Sequence, residues 1–164
     1  MRNPAPTPPV KIHELLREPL ILPDLPADDG ESALKEMSRL LAGYDKTFDE
    51  KRIYENLLQR ESLGSTAIGE GFALPHCKVS GLDEPVIVLA VSQKGVPFRA
   101  MDGKPARVFF LVVSSAENPG PNLRVLAAAA RLIRGSRSLL KKMLKARTTR
   151  TLLDIVREEE EKIS

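Results

Sequence analysis

Two apolar runs constrain this chain most: VIVLAV at residues 86–91 and VFFLVV at residues 108–113. Neither alternates apolar with polar, so neither suits a strand with one wet face. β-Branched and aromatic side chains favour strand over helix, and a strand apolar on both sides belongs inside a covered sheet. Both runs are too short to span a bilayer. Central strands are therefore expected over residues 86–92 and 107–114. The connection KGVPFRAMDGKPA carries Asp102-Gly103, a hairpin-turn signal.

Helical patterns surround this pair. A short helix is expected over residues 11–17, before Pro19, and an edge strand over residues 20–22. A helix over residues 30–41 puts Leu34, Met37, Leu40 and Leu41 on one face, with Asp28 and Glu31 as capping box and Gly43 as stop. A second, over residues 48–62, carries Ile53, Tyr54, Leu57 and Leu58, with Thr47 and Glu50 as capping box and Gly64 as stop. The pieces TAI and FAL come next, divided by Gly69 and Gly71. A long helix starts at Pro121, shows Leu123, Leu126, Ala127, Ala130 and Ile133 on one face, and ends at Gly135. Helices over residues 137–145 and 149–160 complete the chain. The terminal EEEEK opposes the helix dipole, so that end is expected to fray. Strands in the middle with helices on either side give an α/β sandwich. Residues 1–10 are expected to be a loose proline-rich arm, and residues 11–164 one domain.

Composition narrows the function classes. Aromatic residues make up 4% of the 164 and there is no Trp, which disfavours base-stacking platforms. A net charge of +3 does not make a nucleic-acid binder. The basic stretch RGSRSLLKKMLKARTTR reads as a solvated helical face rather than a site for an anionic partner, and the apolar runs are short, so neither nucleic-acid binding nor membrane insertion is expected. A single cysteine allows no internal disulfide. The start, MRNPAPTPPVK, has no apolar core of a signal peptide. A soluble cytoplasmic protein is expected.

The chemistry concentrates in GSTAIGEGFALPHCK, residues 64–78, which holds one of two histidines and the only cysteine. His76 and Cys77 point to opposite faces of an extended chain, which argues against shared metal ligation and against a Cys–His dyad. His13 could serve Cys77 only if the N-terminal region folded over it. A histidine nucleophile for a phosphoryl group needs a fixed tautomer and cations or N–H donors around the phosphoryl oxygens. Pro75 stiffens the approach to His76, and Lys78 adds positive charge. On chemistry alone this reading stands beside a plainly solvated loop histidine.

The longer stretch RESLGSTAIGEGFALPHCK resembles the active-site signature of the fructose/mannitol-type enzyme IIA domains of the bacterial phosphoenolpyruvate-dependent phosphotransferase system, which include the nitrogen-regulatory IIA proteins. The likeness continues through EPVIVLAVSQKGVPFRAMDGKPARVFFLVVSS and NLRVLAAAARLIR, and covers about residues 21–156. It implies a mixed five-stranded sheet flanked by helices on both faces, a three-layer α/β/α sandwich. It implies that His76 takes a phosphoryl group on Nε2 from an HPr-type carrier and passes it to a IIB partner or holds it as a signal for a regulated target. Arg60 matches the family's active-site arginine, and Ser65 and Thr66 match the loop packed on that site, so the resemblance implies that all three bind the phosphoryl group. No metal or organic cofactor is implied. The chain would be a phosphohistidine carrier rather than a stand-alone enzyme. The absence of an attached IIB or IIC region leans toward nitrogen regulation over dedicated sugar transport.

Two positions depart from the pattern. Asn122 stands where the family carries a second site histidine; its amide can donate to a phosphoryl oxygen but cannot carry a proton charge. Cys77 replaces the usual glycine, a costly change if that position requires positive φ. The alternative function is a non-transferring interaction module of the same fold, with phosphorylation weakened by Asn122.

Overall fold

The computed structural model describes residues 9–163. Helix α1 (Ile12–Leu15) leads through a 3-10 turn to strand β1 (Ile21–Leu22), then α2 (Gly30–Tyr44) and α3 (Glu50–Ser62). Three short strands come next, β2 (Ala67–Gly69), β3 (Phe72–Ala73) and β4 (His76–Val79), then the long β5 (Val86–Val96) and β6 (Ala106–Ser115). Helices α4 (Gly120–Gly135), α5 (Leu139–Lys145) and α6 (Thr149–Ile163) close the chain.

The two apolar runs form the centre of the sheet. β5 and β6 pair antiparallel, with Val88 opposite Leu111 and Leu89 opposite Phe110. Alternate residues feed two separate cores. Ile87, Leu89, Phe110 and Val112 pack with α1, α4, α5 and α6. Val88, Ala90, Phe109 and Leu111 pack with α2 and α3. Two covered faces explain why neither run alternates. The result is the expected three-layer sandwich.

The sheet has six strands where five were expected, and the reason is Pro75. β3 and β4 both pair parallel with β6, and their registers match: Ala73 lies opposite Phe109 and His76 opposite Val112. They are one lane, broken where Pro75 has no N–H to donate. Leu74 turns its N–H to the Thr66 carbonyl (3.0 Å), while the Pro75 carbonyl accepts from Val112 N–H (2.9 Å). β1 lies at the other edge, parallel to β5. The lanes run β1, β5, β6, β3 with β4, then β2 beside β3.

Several local expectations shift. Asp29, not Asp28, caps α2 by accepting from Ser32 N–H. Asp49, rather than Thr47, caps α3 by accepting from Arg52 N–H. Gly43 does not stop α2, which continues to Tyr44. The end of α6 does not fray, because Glu159 and Glu160 are buried. Glu159 accepts from Ser136 Oγ (2.7 Å), Lys142 Nζ and Lys162 Nζ. Glu160 accepts from the N–H groups of Ile12 (2.7 Å) and His13 (3.0 Å). The proline-rich arm falls outside the described residues apart from Pro9 and Val10, and Val10 packs on the core beside α4 and α6. No described helix is long and apolar enough to cross a membrane.

Candidate functional site

β4 begins immediately after Pro75, so His76 is the first residue to resume pairing with β6. β2 pairs with β3, and His76 stands on the next segment, where α3 and the start of α4 flank a shallow hollow of about 530 Å³. His76, Arg60, Lys78, Asn122, Leu63 and Leu123 are among its lining residues.

The surroundings of His76 fix its tautomer. Nδ1 lies 2.9 Å from the Leu74 carbonyl oxygen. A carbonyl only accepts, so Nδ1 carries the proton. On the other side, Arg60 Nε–H donates to Nε2 across 3.3 Å. Guanidinium only donates, so Nε2 presents a lone pair. Two unlike neighbours therefore require the same neutral ring, with its free electron pair on Nε2 facing a cation.

Arg60 comes from the last turn of α3 and also holds the Gly64 carbonyl through Nη1 (2.9 Å). Asn122 sits in the first turn of α4 and is 4% exposed. Its Oδ1 is shut away without a partner. The start of a helix adds positive potential from unpaired backbone N–H groups.

Ser65 and Thr66 spend their hydroxyls on groups other than His76. Ser65 Oγ donates to the Phe98 carbonyl (2.6 Å) and accepts from Ala67 N–H (3.0 Å). Thr66 gives both its N–H (3.1 Å) and its hydroxyl to the Glu61 carboxylate. These residues brace the loop after α3. Glu61, absent from the expected site residues, is the other half of that brace. The Leu74 carbonyl is absent from them too, since a backbone acceptor leaves no side-chain signature; Pro75 is its nearest trace.

Cys77 points away from His76, into the core with α2 and α3, and burial pushes its thiol up to about 12. It lies in a strand without positive φ, so the position does not demand glycine. His13 does not approach it: His13 Nδ1 is 2.6 Å from Glu160 Oε1, on the opposite layer. Among the described residues no cluster of three His, Cys, Asp or Glu could hold a metal.

The model for the phosphoenolpyruvate-dependent sugar phosphotransferase system, EIIA 2, matches residues 14–159. The chain belongs to this family. This EIIA domain is 32% identical over 145 residues to a nitrogen regulatory protein of Bradyrhizobium diazoefficiens, covering 88% of the chain and 94% of that relative. It is 31% identical over 147 residues to the fructose-specific EIIABC component of Bacillus subtilis, covering 90% of the chain but 23% of that longer protein. The crystal structure of nitrogen regulatory protein IIA-Ntr from Neisseria meningitidis superposes with a TM-score of 0.79 at 25% identity, over 88% of this chain and 98% of that one. The resemblance carried by RESLGSTAIGEGFALPHCK thus extends over residues 14–159.

Proposed function

We propose that this EIIA domain carries a phosphoryl group on Nε2 of His76, received from an HPr-type phosphohistidine carrier. The observation that carries the reading is the doubly specified tautomer: Nδ1–H on the Leu74 carbonyl and the Nε2 lone pair opposite Arg60. The Nε2 pair forms the new N–P bond as the donor's P–N bond breaks, and that bond's electrons leave with the donor nitrogen. The ring becomes cationic while its Nδ1 proton stays hydrogen-bonded to the Leu74 oxygen, so no base is needed to prepare the attack.

Arg60 turns from the lone pair to the phosphoryl oxygens, for which its forked donors are suited. The Asn122 amide and the N-terminus of α4 supply further donors without adding a titrating group. Ser65 and Thr66 act by holding the loop rather than by touching phosphate. A IIB-type domain or a regulated protein receives or reads the group. Likeness to nitrogen regulatory proteins supports the regulatory branch.

The test is intact-mass analysis after incubation with phosphoenolpyruvate, enzyme I and HPr. One acid-labile phosphoryl group is expected on the wild type and none on His76→Ala. Equal labelling of the variant would overturn the reading.

A further inference from the structure

Arg60 is engaged twice, and the first of these engagements is incompatible with phosphorylation of its neighbour. Nε–H donates to His76 Nε2 at 3.3 Å, and Nη1 donates to the Gly64 carbonyl at 2.9 Å. A covalent N–P bond removes the lone pair that Nε–H now uses. The phosphoryl group then occupies the space between ring and guanidinium. The side chain must withdraw or rotate onto the phosphoryl oxygens, and either movement changes the geometry of a planar fork whose second arm holds Gly64.

The neighbouring contacts confine the effect of releasing that arm. Thr66 stays clamped by Glu61, and Ser65 stays tied to Phe98. Leu63 and Gly64 have no side-chain tie besides the Arg60 arm; their N–H groups donate to the Arg60 (3.2 Å) and Glu61 (3.1 Å) carbonyls at the end of α3, while the Gly64 carbonyl has the Arg60 arm. Gly64 holds φ at 148°, and nothing lies within 4 Å of where a Cβ would stand. Leu63 is 81% exposed on the rim of the hollow.

We infer that Arg60 is a latch that couples the phosphorylation state of His76 to the backbone of residues 63–64, so that the rim beside the site differs between the free and phosphorylated forms. The inference rests on the phosphohistidine reading and adds to it a means of regulation: a protein partner meets Leu63 in one of two positions. The latch needs no movement of α3, of Thr66 or of the sheet.

Amide NMR on the whole chain tests this in two arms. In the first, His76 is phosphorylated chemically with phosphoramidate, and intact mass with peptide mapping reports labelling independently of any protein donor. The Leu63 and Gly64 amides are expected to shift, while that of Thr66 stays near its free position. In the second, unphosphorylated Arg60→Gln is compared with wild type. Its Leu63 and Gly64 amides are expected to move in the direction that phosphorylation moves them. Stationary Leu63 and Gly64 signals in a chain shown to be labelled would overturn the latch and leave the phosphohistidine reading standing, as would opposite movement in Arg60→Gln. A His76 that neither phosphoramidate nor HPr can label would overturn both.

Discussion

His13 and Glu160 join the two ends of the described fold: Nδ1 of His13 lies 2.6 Å from Oε1 of Glu160, whose carboxylate also accepts the N–H groups of Ile12 and His13. One side chain of α6 thus fastens the start of α1, whose Ile12 is fully buried. Glu160→Ala leaves buried donors unpaired and is expected to cost about 2–3 kcal/mol, with loss of hydrogen-exchange protection in α1. Denaturant titration with exchange mass spectrometry measures both. Phosphoryl acceptance at His76 should be unchanged, since none of these groups lines that hollow.

Glu159 gives the fold a definable acid sensitivity. Hydrogen bonds from Lys142 and Ser136 hold its carboxyl at about 2, below its ordinary value of 4.5. As pH falls through 4.5 the unfolded chain takes up this proton while the folded chain does not, so stability declines with falling pH. The contribution is complete above 4.5 and gone below about 2. Glu159→Gln should flatten this part of a stability-against-pH curve measured by denaturant midpoints. A variant with the same slope as wild type would remove Glu159 from the cause.

Cys77 should behave as a core residue. With its thiol at about 12, it is expected to resist alkylation at pH 8 in the folded chain and to react on unfolding. Cys77→Ser buries a hydroxyl in an apolar core and should cost about 1–3 kcal/mol, with labelling of His76 retained. Thiol-reagent kinetics with and without denaturant, together with unfolding curves, check both parts.

Features set by local pattern were legible in the sequence. The non-alternating runs gave β5 and β6 on a covered sheet, and the helical stripes of Leu34, Met37 and Leu41 or Ile53 and Leu57 gave the burial of α2 and α3. His76 and Arg60 were legible through a motif and do meet. Features that depend on distant partners were not. A run of acids looks like a frayed helix end until Ile12, His13, Ser136 and Lys142 are brought to it. Capping moved to Asp29 and Asp49 because neighbouring residues offered equivalent oxygens, and backbone geometry chose between them. The split of one lane into β3 and β4 came from a missing N–H at Pro75, whose sequence signal pointed only to stiffness.

Asn122 separates binding from stability. Its buried Oδ1 has no partner, so Asn122→Ala removes an unsatisfied group and should change stability by less than about 1 kcal/mol. Loss of the amide donor should slow phosphoryl acceptance by about tenfold or more, the equivalent of one hydrogen bond to a charged group. Rapid-quench measurement of transfer from an HPr-type donor tests this. An unaltered rate would remove Asn122 from the phosphoryl contacts.

The most direct measurement of the central claim is which nitrogen of His76 becomes phosphorylated. Histidine-labelled ¹⁵N protein, phosphorylated and observed by two-bond ¹H–¹⁵N NMR, distinguishes the ring nitrogens. The Leu74 carbonyl holds the proton on Nδ1 and the lone pair faces Arg60, so the phosphoryl group is expected on Nε2, with Nδ1 still protonated. A phosphoryl group on Nδ1, or a His76 ring left unmodified while another residue carries the label, would contradict it.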